Sequence, residues 1–489
     1  MEMNSSTQSY QGNDRLLFGI ILGVLAFWLF AQTTLNINVE MAKDLGMEQN
    51  FMNIAVSITS LFSGIFIVVM GGLADRVGRV KMVQIGFILS MIGSLLIALT
   101  PSGPASSAVL ISGRILQGLS GACLMPASLA LVKAYWVGPA RQRAISMWSI
   151  GSWGGSGFCA FFGGMVASNL GWRYIFWATI LVSLIGFFMV RGTPESKSET
   201  KGSFKFDYAG VLTFMIAIIA FQLFITKGSD FGWTSLTSFS LVGVFIFFGI
   251  LFYRIEIKNS FAFVNLKLFK NLTYTGATIS NFLLNACAGI LIISLSLVQL
   301  GAGYSSQQSG LLTLGYALAI VAFIRVGEKL LQRFGARKPM LWGSSIVALS
   351  IFLLMFTHLM TGTYTVLAVI AFTLFGVGLA FYATPSTDAA LSNLPDDQAG
   401  AGAGIYKMAS SLGAAIGVAI SASVFTALSS SSGPVEWLNQ LITFQGRQDN
   451  LAIRQGASIA LGINLIMALL AILSIHFTIP KGKKSEPIQ

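Results

Sequence analysis

The chain has 489 residues, of which 54% are hydrophobic, 12% aromatic and only 10% charged, against roughly 25% charged in ordinary soluble domains. So few charges could not coat even one water-facing domain, so the surface faces lipid. The net charge of +12 does not indicate nucleic acid, because Lys and Arg are scattered between apolar segments instead of gathered on one face or run.

A polar tail, residues 1–15, precedes an apolar stretch that begins at Leu16. That stretch runs past twenty residues without a small-residue cleavage site, so it is expected to stay attached as the first span. A crossing helix needs about twenty apolar residues for roughly 30 Å of hydrocarbon. Such segments are predicted at 16–38, 51–72, 82–100, 106–132, 145–168 and 173–191. After a polar linker come 208–226 and 235–254, then, past a second polar stretch, 273–297, 308–327, 339–358, 363–391, 402–428 and 457–479. The expected fold is therefore an all-α polytopic membrane protein of fourteen spans arranged 6 + 2 + 6. Its parts are a first bundle over 16–191, linkers and two inserted helices over 192–271, a second bundle over 272–480, and a tail over 481–489.

Cytoplasmic loops carry the Lys/Arg excess. With the N-terminus inside, Arg76, Arg79, Lys81, Lys133, Arg141, Arg143, Lys201, Lys205, Arg254, Lys258, Arg333, Arg337, Lys483 and Lys484 fall on that side. Lys43, Arg173, Lys227, Arg447 and Arg454 face outward, and an even span count puts both termini in the cytoplasm. The halves also echo one another: Met125-Pro126-Ala127-Ser128 in the fourth span has a counterpart in Thr384-Pro385-Ser386-Thr387 of the twelfth. Internal repeats of this kind are how many transporters surround a central site.

The tightest local pattern is Gly71-Gly72-Leu73-Ala74-Asp75-Arg76-Val77-Gly78-Arg79, a short turn whose glycines relieve backbone strain and whose charges can pair across a helix interface. Arg114, with Gln117 and Gly118, stands well inside the fourth span, where a charge costs at least ~2.5 kcal/mol and usually serves function. The alternative is an arginine that snorkels or bonds to neighbouring helices. The fifth span holds Gly151-Ser152-Trp153-Gly154-Gly155 and Gly163-Gly164, small residues that let helix backbones approach.

These three stretches resemble the signature loop, the helix-4 motif and the antiporter motif of the major facilitator superfamily, and the chain as a whole is similar to its fourteen-helix drug:proton antiporters. Within that family the similarity points to the staphylococcal quinolone and biocide exporters. It rests on Phe27-Trp28-Leu29-Phe30-Ala31-Gln32, Trp148-Ser149-Ile150-Gly151-Ser152-Trp153, Tyr274-Thr275-Gly276-Ala277, Arg325-Val326-Gly327-Glu328-Lys329 and Tyr382-Ala383-Thr384-Pro385-Ser386-Thr387-Asp388.

The resemblance implies proton-coupled export of amphiphilic drugs such as fluoroquinolones, quaternary ammonium biocides and dyes. It also implies a bacterial cytoplasmic membrane location and a monomer. Gly71, Asp75, Arg76, Gly78 and Arg79 would gate by latching the halves, and Arg114 would join proton transfer. Gly155, Gly163 and Gly164 fit the antiporter motif, but Cys159-Ala160 stands where the family has Gly-Pro. In the first span Ala31-Gln32 stands where cation exporters of the family carry an aspartate.

Asp388 is the first candidate for the protonating group, because a desolvated carboxylate exchanges its proton near neutrality, and Glu40 is the second. An aromatic, mildly polar pocket would draw on Phe27, Trp28, Gln32, Asn36, Trp148, Trp153, Asn281, Asn285, Tyr316 and Tyr382. The Asn pair lies four apart on one helix face, where interhelical bonding is the competing role.

Cys123, Cys159 and Cys287 have no metal-like spacing, the two histidines are far apart, and no Gly-rich loop ends in Gly-Lys-Ser/Thr. No metal, cofactor, enzyme or ATP-driven pump is expected, and the energy source would be the proton gradient. Uptake or lipid-metabolite export on the same fold remains open, as does a membrane-embedded sensor.

Overall fold

The computed structural model describes residues 10–197, 207–259, 262, 264–391, 394, 399–430 and 435–481. The ends of both predicted tails and the linker over 198–206, with Lys201, Lys205, Lys483 and Lys484, lie outside the described residues. Among the described residues there is no strand.

Helix α1 (Asp14–Leu45) begins where Asn13 accepts from the Leu16 amide at 2.8 Å, with Asp14 in the first turn complementing the helix dipole. It ends on Gly46, whose φ of 64° is the left-handed cap that glycine adopts without penalty. Then come α2 (Gln49–Val77), α3 (Arg79–Ala98) and α4 (Ser106–Tyr135). Next is α5, built from Gly138–Ser149 and Gly155–Leu170 joined by a π-helical turn at Ile150–Gly154, and then α6 (Arg173–Val190). The inserted pair is α7 (Tyr208–Phe231) and α8 (Leu236–Lys258). The chain continues with α9 (Leu272–Ala302) and α10 (Ser306–Phe334). It closes with α11 (Arg337–Leu354), α12 (Thr361–Leu391), α13 (Ala399–Ser429) and α14 (Leu451–Thr478).

Each predicted span coincides with one of these helices. Twelve of them, among the described residues, are long and apolar enough to cross a membrane. The other two predicted spans, α5 and α11, are helical but fall outside that set, and α11 opens on Arg337 and Lys338. The protein is therefore a multi-pass membrane protein.

Two groups, α1–α6 and α9–α14, face one another, with α2 against α13 and α5 against α10 across the divide. The inserted pair is attached on one side: α7 packs on α2 and α13, and Gln222 of α7 donates to Ser57 Oγ of α2 at 2.8 Å. In α8 the phenylalanines Phe239 and Phe247 are exposed, as expected of a helix bathed by lipid.

Helix α1 is not regular. It passes through a π-turn at Ala26–Phe30 and a tight turn at Ala31–Thr33 before resuming as Thr34–Leu45. The π-turn of α5 lies directly against it, Gly155 leaving room for the Leu29 amide nitrogen 3.2 Å from where a β-carbon would sit. Such single-turn π segments concentrate at functional positions because they redirect side chains without ending the helix.

Candidate functional site

A cavity of 670 Å³ lies between the two groups, within the range that accommodates a drug-sized molecule. Its wall draws on corresponding helices of both: α1, α2, α4 and α5 from one, α9, α10, α12 and α13 from the other. Phe27, Trp28, Gln32, Trp148, Trp153, Asn285, Tyr316 and Tyr382 line it. Most of the wall is apolar, and several of its polar groups are tied down, while Trp28 Nε1 and Ser63 Oγ have no hydrogen-bond partner among the described residues. Gln32 donates to Ser60 Oγ at 3.2 Å, and Trp148 Nε1 to Ser128 Oγ at 3.0 Å. Tyr382, Ser280, Ser386 and Tyr406 form a chain of hydroxyls at 2.7–2.8 Å.

Two pocket candidates lie elsewhere. Asn281 spends its amide on the Tyr406 carbonyl at 3.0 Å and Ser410 Oγ at 2.6 Å, and is not on the cavity wall. Asn36, fully buried, sits beyond the cavity at the Glu40 end of α1. Its Nδ2 donates to the carbonyls of Ala160 at 2.7 Å and Ser306 at 2.8 Å. Its Oδ1 accepts from Gln299 at 2.8 Å and Ser309 at 2.9 Å. Three of those four bonds cross from α1 to α9 or α10.

Further crossings lie at the same end. Ser306 Oγ donates to Glu40 at 2.7 Å, the Gln307 amide to Ser168 Oγ at 3.1 Å, and Asn53 to Thr426 at 2.9 Å. Gly164 makes the approach possible, since a β-carbon there would lie 2.0 Å from the Ser306 carbonyl oxygen. The Glu40 end is therefore closed by direct bonds between the two groups.

The other end is where the cavity runs out toward Gly71, Asp75, Arg79 and Lys133. Arg79 is held by Asp75 at 2.8 Å and reaches Ser196 Oγ at 3.1 Å, while Glu195 accepts from the amides of Val80 and Lys81. Gly78, with φ at 128°, makes the break between α2 and α3 in a backbone conformation that other residues seldom adopt. Every one of these bonds stays within the α1–α6 group and the segment that follows it.

Arg114 is completely buried, and all five of its N–H groups have acceptors. These are Ala55 O at 2.8 Å, Ala31 O at 2.7 Å, Gln117 Oε1 at 2.8 Å, Thr34 Oγ1 at 2.8 Å and Val56 O at 3.2 Å. No carboxylate is among them. Gly118 packs against the Thr59 carbonyl, 2.5 Å from where its β-carbon would be. The motif thus fastens α4 to α1 and α2.

Asp388 does not meet the expectation of a desolvated carboxylate. Its side chain is exposed near the end of α12 and is not on the cavity wall. Glu40 is half-buried in the closed end. Arg454, expected in an outer loop, is buried at the start of α14. There its guanidinium donates to the carbonyls of Thr357, Leu359, Gln445 and Arg447 at 2.8–3.0 Å.

Two charged groups on the wall escaped the sequence reading. Asp207 lines the cavity and caps α7 through the Gly210 amide at 2.9 Å. Lys407 of α13 also lines it, with Nζ 5.8 Å from the centre of the Trp148 ring across the divide. Its place five residues inside a predicted span was the available signal.

Two helical groups around a shared cavity, bonded to each other at one end, define a membrane transporter of small molecules. The Major Facilitator Superfamily pattern matches residues 16–418 and again 277–488, and the chain belongs to that superfamily. It is 45% identical over 481 residues to the quinolone resistance protein NorB of Staphylococcus aureus strain MRSA252, covering 98% of this chain and 99% of that one. The same figures hold for NorB of strain bovine RF122 / ET3-1. Among solved structures, a D-xylose-proton symporter superposes with a TM-score of 0.63 at 14% identity, covering 96% of this chain and 98% of that one. A peptide transporter, POT, in complex with sulfate gives 0.63 at 16% identity, covering 95% and 96%. At such identities these structures speak for the fold alone.

Proposed function

We propose that the protein is a proton-coupled exporter of amphiphilic drugs working by alternating access across a bacterial cytoplasmic membrane. The observation that carries this reading is the aromatic cavity of 670 Å³, sealed at its Glu40 end and running out at its Asp75 end. Its size suits fluoroquinolones, quaternary ammonium biocides and dyes, and the relatives' description as quinolone resistance proteins favours the first of these.

In this reading all fourteen helices cross, both termini and the Asp75 end are cytoplasmic, and the structure is the state that loads drug from inside. The Asp75–Arg79 turn bonds within its own group here and would latch the other group when the cytoplasmic side closes. Transport then consists of breaking the Asn36 and Glu40 crossings while the latch forms. A proton entering from outside meets Glu40 first, since its carboxylate takes part in the closure it would have to release. Asp388, exposed near the end of α12, is the second candidate. The protein is read as a monomer with no cofactor.

The test is drug-driven proton movement in proteoliposomes holding a pH gradient, with norfloxacin and a quaternary ammonium dye as substrates. Wild type should dissipate the gradient with at least one of them, and Glu40→Gln or Asp388→Asn should abolish the proton flux. If labelled drug equilibrates while no variant or substrate moves protons, the coupling proposal is wrong and the protein is a facilitator.

A further inference from the structure

Lys407 is a charged group on the cavity wall to which the transport cycle assigns no task. It stands eight residues into α13, ~12 Å along the axis from the helix start. Its ammonium approaches the Trp148 face across the divide, at 5.8 Å from the ring centre. Among the described residues no ion pair involves it.

The acids on the same wall are engaged elsewhere. Asp75 pairs with Arg79 at 2.8 Å, and Asp207 accepts from the Gly210 amide at 2.9 Å. At the first span, where a lipophilic cation would want an anion, the wall offers Gln32, bonded to Ser60. A cation held within a largely apolar, membrane-embedded cavity is costly unless an anion answers it. The ammonium of lysine is a compact point charge that binds a carboxylate well in such surroundings.

We propose that Lys407 is the counter-ion for a carboxylate on the transported molecule. The site therefore favours amphiphiles that join a carboxylate to an aromatic body, over lipophilic cations without one. The carboxylate sits at Lys407 and the aromatic body lies against Trp148, Phe27 and Tyr382. This rests on the reading of the cavity as the transport site, and it adds the substrate class.

The experiment measures equilibrium binding to the purified full-length protein in nanodiscs. The probes are norfloxacin, pyrenebutyrate, the methyl ester of each, and ethidium, tested on wild type, Lys407→Arg and Lys407→Met. Lys407→Met should weaken both free acids by roughly 10- to 100-fold, the factor a charge-assisted hydrogen bond supplies. The esters and ethidium should stay within about twofold, and Lys407→Arg should retain most of the acid affinity.

Equal loss for acid and ester, or no loss for the acids, overturns the inference. Should Lys407→Met not fold, the acid-over-ester preference of wild type decides: a preference supports the carboxylate site and parity overturns it. If norfloxacin does not bind while pyrenebutyrate binds in a Lys407-dependent way, the drug reading fails and the carboxylate site stands. If ethidium binds and neither acid does, the inference fails and the drug reading stands.

Discussion

Replacing Asn36 by Ala should loosen the closed end of the transporter without unfolding it. The substitution removes three side-chain bonds that cross between the helix groups, to Ser306 O, Gln299 Nε2 and Ser309 Oγ. The groups left behind are not stranded, because Gln299 still reaches the Asn36 backbone carbonyl at 2.9 Å and Ser309 Oγ at 2.7 Å. The appropriate magnitude is therefore the ~0.6 kcal/mol averaged for hydrogen bonds between membrane helices. Three of them amount to about 2 kcal/mol, or roughly a 20-fold shift of population toward the state open at the Glu40 end. Spin labels on Leu170→Cys and Leu311→Cys would report the distance across that end. Both positions are exposed, and the three native cysteines are buried. Wild type should give a single short distance, and the variant a second, longer one. An unchanged distribution in a folded variant would mean that these bonds do not hold the end shut.

Gly164→Val should open the same end more strongly, because its β-carbon would fall 2.0 Å from the Ser306 carbonyl oxygen; a longer distance between spin labels on Leu170→Cys and Leu311→Cys would report it. Asp75→Asn removes a half-buried i,i+4 ion pair worth about 0.5 kcal/mol. Stability should scarcely change while the transport rate falls at constant drug affinity, as liposome flux and equilibrium binding would show. His358, in the loop after α11, is held below the usual imidazole range by burial and by Arg454. Its neutral form is the one the fold prefers, so its contribution is complete above pH 6.5 and is lost as pH falls below that. Melting temperature should decline on acidification, and part of that decline should vanish in His358→Gln.

The span positions were legible because, in a chain with 10% charge, a run of about twenty apolar residues has almost nowhere to lie except across a membrane. The pocket was legible in part for the same reason: aromatic and amide residues near the middle of corresponding helices have little to do in lipid. What the sequence could not supply was depth along an irregular helix. Gln32 lies within the tight turn on the cavity wall, whereas Asn36, one turn further along α1, falls in the closed end. Lys407 was missed because a lysine five residues inside a span reads equally as a snorkelling side chain. Asp388 misled in the opposite sense: its position promised desolvation, but its side chain is exposed.

The same irregularity in α1 separates what must hold from what must break. At the turn over Ala31–Thr33 the Ala31 carbonyl accepts from Arg114, which also donates to Thr34 Oγ1 and two carbonyls of α2. All of those bonds lie inside one helix group and need not change during transport. One turn further on, Asn36 bonds chiefly to the opposite group, and its bonds cannot survive opening. Arg114→Lys leaves buried carbonyls short of donors and should cost about 3 kcal/mol of stability, with the Glu40-end distance unchanged in whatever protein remains folded. Asn36→Ala should do the reverse, changing the distance and sparing the melting temperature. If both variants changed both quantities alike, α1 would be moving as one rigid piece with the opposite group. The division into a static brace and a breakable latch would then be wrong.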